Sequence, residues 1–300
     1  MFITHNHIDH TAALSAIFAA GFQIARYFDN GVTNTGSGFK EQLWIRNQNK
    51  KWASDHTHPV TKIRAIRDRD IKPKTGLTDA DIDPLVCADC DPKITLLAGR
   101  KLLNPGWIPD DWSNWNNHSL VLRIDFGEHT FLFTGDLEQP AIATLLKKYE
   151  KNLSWLDVDI YHVGHHGSHN GTTKELLAAL SPELAVISMG RWSYGMFPWG
   201  QFTTYTYGHP RQQLINLLSG SITRTRDQPL RAAVAQTQGN FSTATITNAI
   251  YATGWEGTIL FKVPLHGRIE VSTINPPPLV DAPLLPTSPA LMLPWSAPLR

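Results

Sequence analysis

Thr4-His5-Asn6-His7-Ile8-Asp9-His10, within the first ten residues, packs three imidazoles and a carboxylate into the spacing that metal ions use. Histidine and aspartate are ligands accepted by Zn, Mn and Fe, and two histidines one residue apart at a strand end point the same way. Asp9 and His10, just beyond, are free to turn toward a second ion. A histidine-rich terminus that binds nothing is the plain alternative, and the remainder of the chain argues against it. Three apolar runs read as buried strands and lead into further candidate ligands. The first is the hairpin formed by 119–124 and 130–133, which delivers Asp136 after Gly135. The second is 158–163, followed by Gly164-His165-His166-Gly167-Ser168. The third is 184–190, which leads through an aromatic loop to Tyr207-Gly208-His209-Pro210.

Helices are expected over residues 11–20, 139–150, 173–180 and 211–218, each following one of these segments, so that strands and helices alternate as layered α/β domains require. Residues 40–93 are charged and poorly periodic, and read as a loop-rich insertion. Residues 258–263 and 268–272 read as a closing hairpin. The organisation expected is one domain over 1–272 and a proline-rich, disordered tail over 273–300.

The motifs in this order resemble the metallo-β-lactamase superfamily, and within it the branch typified by the soluble carboxy-terminal domain of ComEC-type DNA-uptake proteins. The resemblance rests on His5, His7, Asp9 and His10; on Asn117-His118-Ser119-Leu120-Val121-Leu122; on Thr134-Gly135-Asp136; on His165 to Ser168; and on Tyr207 to Pro210. It implies a four-layer αβ/βα sandwich with two divalent ions, Zn or Mn, at the edge where two sheets meet. His5 and His7 would hold the first ion, Asp9 and His10 the second, Asp136 would bridge them, and His209 would complete the second ion's ligand set. The first ion's usual third histidine falls where this chain has Asn114, Trp115, Asn116 and Asn117. His165 or His166 is the candidate replacement, with His166 preferred because Gly167 leaves its backbone room. Only Met1 to Thr4 precede the first motif, where the superfamily places several strands. Either the native start lies upstream, the favoured reading, or the first sheet is incomplete and leans on a partner.

The chemistry implied is metal-assisted hydrolysis. A water bridging two cations loses its proton near neutral pH, Asp9 accepts a hydrogen bond from it, and a proton for the leaving group comes from whichever of His165 and His166 is not ligated, His165 on the preferred assignment. A phosphodiesterase or nuclease is the leading expectation. A small-molecule ester or lactone hydrolase, or a non-catalytic interaction module, are the alternatives. Among the other histidines, alternation puts His118 on the core face with Leu120 and Leu122, so it reads as packed or hydrogen-bonded rather than ligating. His162 reads as structural. His56, His58, His129, His169 and His266 read as surface or loop residues.

A net charge of +1 and a pI near 7.9 exclude a generic duplex-binding field. Nucleic acid or another phosphodiester is the partner that the resemblance implies, and only local features of the sequence bear on it. From Lys40 to Lys74, ten Lys/Arg face four Asp/Glu, and Asp79, Asp81, Asp83, Asp89 and Asp91 follow. That stretch is either a phosphate-tracking surface or a solvated one neutralised by the acids after it. Trp107, Trp112 and Trp115, and the run Trp192, Tyr194, Phe197, Trp199, Phe202, Tyr205 and Tyr207, could wall a pocket, stack bases or pack on their own domain. No run is long and apolar enough for a membrane span and no signal core is present, so a cytoplasmic protein without a membrane partner is expected. Cys87 and Cys90 lack a second pair to complete a zinc site and read as incidental.

Overall fold

The computed structural model describes residues 1–56, 58–89, 91–190 and 207–274. The aromatic run from Trp192 to Tyr205, Cys90 and the tail from 275 onward lie outside the described residues. The centre is a six-stranded mixed sheet built from β3 (Lys93–Ala98), β4 (Val121–Phe126), β5 (His129–Phe133), β6 (Ile160–His162), β7 (Leu184–Ile187) and β10 (Ile250–Ala252), in the order β10-β7-β6-β5-β4-β3. β5, β6, β7 and β10 run parallel, and β4 and β3 antiparallel to their neighbours. Because β5, β6 and β7 are adjacent and parallel, their carboxyl ends open on one edge. That edge is where Asp136, His165, His166 and Ser188 emerge.

Alternation along the strands fills two separate cores. Leu97, Val121, Leu132 and Tyr161 pack against α5 (Gln139–Tyr149), α6 (Lys174–Leu180) and the helix Gln212–Ser221. Their neighbours Leu96 and Leu120 pack on the opposite side with Phe28 and Ile66. Phe28 belongs to β1 (Arg26–Asp29), which pairs in parallel with β2 (Lys62–Ala65). Tyr27, one residue from Phe28, faces the other way and packs with Leu14, Ile45 and Trp52. These come from α2 (Leu14–Ala19) and α3 (Phe39–Asp55). The layers thus run helix, sheet, sheet, helix, which is the αβ/βα arrangement, with a second sheet of two strands among the described residues.

Several sequence expectations need correction. Residues 40–93 are not a loop-rich insertion, since α3 and β2 occupy the outer two layers. The stretch hid its helix because only Gln42, Ile45 and Trp52 are buried from it, too sparse an apolar stripe to read as periodic. The helix expected over 11–20 is divided into α1 (Ile8–Thr11) and α2, with Ala12 and Ala13 between them. His5 and His7 do not sit on a strand; Phe2 makes one isolated bridge to Phe28, and His7 is the N-cap of α1. His129 is buried at the start of β5 rather than on the surface. The long hairpin of β8 (Thr225–Thr237) and β9 (Asn240–Asn248) went unread, because Pro229 interrupts the strand pattern; it sits where the register shifts. β11 (Thr258–Lys262) and β12 (Glu270–Ile274) form the closing hairpin, and β12 continues past the expected boundary at 272. α4 (Pro109–Ser113) precedes the turn Trp115–His118. Among the described residues no helix is long and apolar enough to cross a membrane.

Candidate metal centre

The turn after β5 begins with Gly135 at a φ of 55°, in the left-handed region, where a Cβ would meet Thr4 and Ser119 within 3.0 Å. Asp136 leaves this turn fully directed, because its N–H donates to Ser119 Oγ at 3.2 Å. Across the edge, His165 and His166 are both left-handed, with φ of 51°. Consecutive non-glycine residues in that region cost about 1–2 kcal/mol each, so the surroundings must hold them. They do: His165 N–H donates to Gly135 O at 3.1 Å, His166 Nδ1 to Ser188 O at 2.7 Å, and Arg211 N–H to Gly167 O at 2.9 Å.

A carbonyl can only accept, so His166 carries its ring proton on Nδ1 and presents Nε2 to the cleft. That Nε2 lies 3.1 Å from Asp9 Oδ2, 3.2 Å from His10 Nε2 and 3.5 Å from Asp136 Oδ2. His10 Nε2 is 3.2 Å from Asp136 Oδ2. One ligand atom from each of Asp9, His10, Asp136 and His166 therefore falls within 4.8 Å of the others. Beside them His5 is fully buried, with Nδ1 near Thr4 Oγ1 (3.2 Å) and Ser119 Oγ (3.3 Å). Its Nε2 has no hydrogen-bond partner and points at Asp136 Oδ2 from 3.7 Å.

The electrostatics match a cation site. Burial, outweighing Asp136, holds His5 well below the usual histidine range, which keeps it a neutral ligand. Burial opposes charging of His166, but the neighbouring Asp136 and Asp9 push it up to about 11. Asp9 is driven down to about 2: burial works against this, while the His166 hydrogen bond and the His10 charge prevail. Asp136 lies well below the carboxylate range for the same kind of reason, with His5, His10 and His166 around it overcoming burial. A nearly buried carboxylate ringed by imidazole nitrogens, one of them orphaned, fits a divalent ion, which would satisfy all of them at once.

His166 thus stands with Asp9 and His10, not with His5 and His7 where the resemblance had suggested a replacement ligand. His7 closes on His5, with ring centroids 4.7 Å apart. His209 lies outside the tight cluster: its ring is 5.9 Å from His165, its Nδ1 has no partner, and burial beside His165 and His166 lowers it to about 4. His165 faces the same cleft, with Nδ1 3.1 Å from Asn170 Oδ1 and 3.6 Å from Glu138 Oε1, and Nε2 3.5 Å from Asn116 Nδ2. His118 packs among Trp107, Trp112 and Trp115 and pairs through Nε2 with Trp112 O at 2.9 Å. His162 stacks on Phe133. Cys87 is exposed, with no disulfide among the described residues.

Thr4, Asn116, Glu138 and Ser188 were not singled out in the sequence. Ser188 serves through its carbonyl, which no side-chain pattern reports. The cavity above the cluster encloses about 610 Å³ and is lined by His7, Asp9, Asn116, His165, Met189, Tyr207 and His209, among others. That volume is of ligand-binding size.

Residues 116–191 match the family model for the metallo-beta-lactamase superfamily, a metal-dependent hydrolase fold whose members commonly bind divalent metals. The chain is similar to Recombination protein 2 of Haemophilus influenzae, with 37% identity over 83 residues covering 28% of this chain and 10% of that protein. It is similar to ComE operon protein 3 of Bacillus subtilis, at 33% over 110 residues, 37% of this chain and 12% of that one. To Competence protein ComA of Neisseria gonorrhoeae it is 40% identical over 75 residues, 25% of this chain and 10% of that one. The chain thus spans about a tenth of the length of the curated relatives it matches. Motif order, layer order and these likenesses agree on a metallo-β-lactamase-type fold, and over part of its length the chain is similar to that superfamily and to competence proteins of the ComEC-like branch.

Proposed function

We propose that this chain is a metal-dependent phosphodiesterase acting on nucleic acid. The observation that carries the reading is the convergence of Asp9, His10, Asp136 and His166 within 4.8 Å beneath an open cavity, with the orphaned Nε2 of His5 alongside. His10, Asp9 and His166 would hold one divalent ion, His5 and His7 a second, and Asp136 would face both; His209 closes the far wall. The ions, Zn or Mn, supply acidity to water and offset charge on a phosphate's oxygens when bound.

The remaining work belongs to the chain. Asp9, its side chain half exposed, accepts a hydrogen bond from the attacking water and orients it toward the cavity. His165, its Nδ1 donating to Asn170 Oδ1, presents Nε2 to the cavity wall and, in its doubly protonated form, supplies the Nε2 proton to the departing oxygen. Phosphodiesters are favoured over esters by the competence relatives. A cavity of about 610 Å³ also admits a small ester or lactone, which is the second reading.

The test is metal content of the full chain by plasma mass spectrometry, with Asp136→Ala beside it, followed by turnover of oligonucleotides, bis-para-nitrophenyl phosphate and lactones. Bound metal lost in Asp136→Ala, with cleavage of the phosphodiesters, supports the proposal. Turnover of lactones alone moves the assignment to the second reading. Absence of metal from the parent overturns both and leaves an interaction module.

A further inference from the structure

Folding pairs off four of the ten basic residues between Lys40 and Lys74. Arg46 forks onto buried Asp29, Lys62 pairs with Asp81, Arg64 with Asp79 and Arg69 with Asp70. Lys101 and Lys148 share Asp68. Arg67 and Arg100 differ. They face each other across an isolated parallel bridge, and neither guanidinium pairs with a carboxylate among the described residues. Arg67 is exposed. Arg100 is half-buried, its Nη1 reaches only the Gly31 carbonyl at 3.4 Å, and its Nε has no partner. Burial and the charge of Arg67 together hold Arg100 below the usual arginine range. Two adjacent, mutually repelling guanidiniums gain most from a shared anion, and phosphate suits their fork geometry.

Their position relates them to the candidate centre. The Arg100 guanidinium lies 5.5 Å from the Trp115 ring centroid, and Trp115 precedes Asn116, which lines the cavity beside His165. We propose that Arg67 and Arg100, with the Trp115 ring beneath Arg100, bind a phosphate of an oligonucleotide strand one or more linkages away from the phosphodiester held in the cavity. The inference rests on the phosphodiesterase reading and adds to it a substrate length: a chain with flanking phosphates, not an isolated ester.

The experiment uses the full chain with chelator present, a fluorescein-labelled oligothymidylate, and anisotropy titrations across a series of KCl concentrations. For single strands the slope of log affinity against log salt is roughly 0.7 per phosphate neutralised, so the pair Arg67→Gln with Arg100→Gln, which removes the one shared phosphate, is expected to reduce it by about 0.7 and Arg67→Gln alone by part of that. Lys50→Gln, a charge removed from the exposed side of α3, is the control and leaves the slope as it was. Arg67→Gln alone, at an exposed position, guards against misfolding of the double variant. Slopes equal to the parent's, or no binding by the parent, overturn the inference. Hydrolysis of bis-para-nitrophenyl phosphate by the metal-loaded parent is measured in parallel. Its presence with unchanged slopes removes the arginine site alone, while its absence with arginine-dependent binding overturns the catalytic reading and leaves the binding site standing.

Discussion

Replacing Gly135 by alanine tests the link between local backbone and the metal centre most directly. Two costs are readable. A non-glycine residue at a φ of 55° costs about 1–2 kcal/mol. The new Cβ would also lie 2.8 Å from Thr4 Cβ and 2.9 Å from both Cβ and Oγ of Ser119, whereas ordinary contact begins at 3.4 Å. Thr4 and Ser119 belong to different segments, so relief requires both to retreat by about half an ångström, an overpacking cost of about 1–3 kcal/mol. The expected loss is therefore about 2–5 kcal/mol, or roughly 5–15 °C in melting temperature for a domain of this size. The same two hydroxyls stand beside Nδ1 of His5 and the backbone N–H of Asp136, so metal content should fall with stability. Gly21→Ala separates the terms: its φ is 87°, and nothing lies within 4 Å of the added methyl. Thermal melts and metal content are compared across the parent and the two variants. Gly135→Ala melting no lower than Gly21→Ala, with metal retained, refutes the reasoning.

Three further outcomes follow from the same geometry. Thr4→Val, which removes the oxygen beside Nδ1 of both His5 and His10, is expected to weaken metal affinity by about tenfold or more in chelator competition, with Ser119→Ala behaving alike. Arg46→Met leaves Asp29 buried and unpaired and should cost about 3–5 kcal/mol in urea denaturation, part of which returns when Asp29→Asn is added. Burial lowers His162 to about 4, so the unfolded chain takes up that proton near 6.5 while the folded chain resists until about 4. Its contribution to stability is complete above 6.5 and declines as pH falls toward 4; His162→Phe, stacked on Phe133, should shallow that acid limb in equilibrium unfolding.

The strands that carry the centre were legible because β5, β6 and β7 are short apolar runs closed by Gly, Asp or His, a pattern set by burial on both faces. α3 was not legible: its buried side chains are few and include Gln42, so the amphipathic period barely registers, and its layer depends on Tyr27 and Trp52 meeting across a distance in sequence. β8 and β9 escaped because Pro229 is tolerated only at a shift of register that exists in the pair, not in the strand. Within the candidate centre, the residue types that could ligate and their order stand in the sequence itself. The side on which His166 falls does not, since that depends on two left-handed residues held by a carbonyl from β7's extension and a backbone bond to Arg211.

By itself, then, the sequence determined which atoms are available to hold metal and which segments end at a common edge, because ligand chemistry and strand periodicity are local properties. Tertiary structure alone decided which of those atoms meet, how β1 and β2 pair as a second sheet, and which charges remain unspent. Arg46 and Arg67 look alike in the chain. One is consumed by Asp29 and the other is left facing Arg100, because ion pairing depends on distance in space and on burial, neither of which a linear pattern contains.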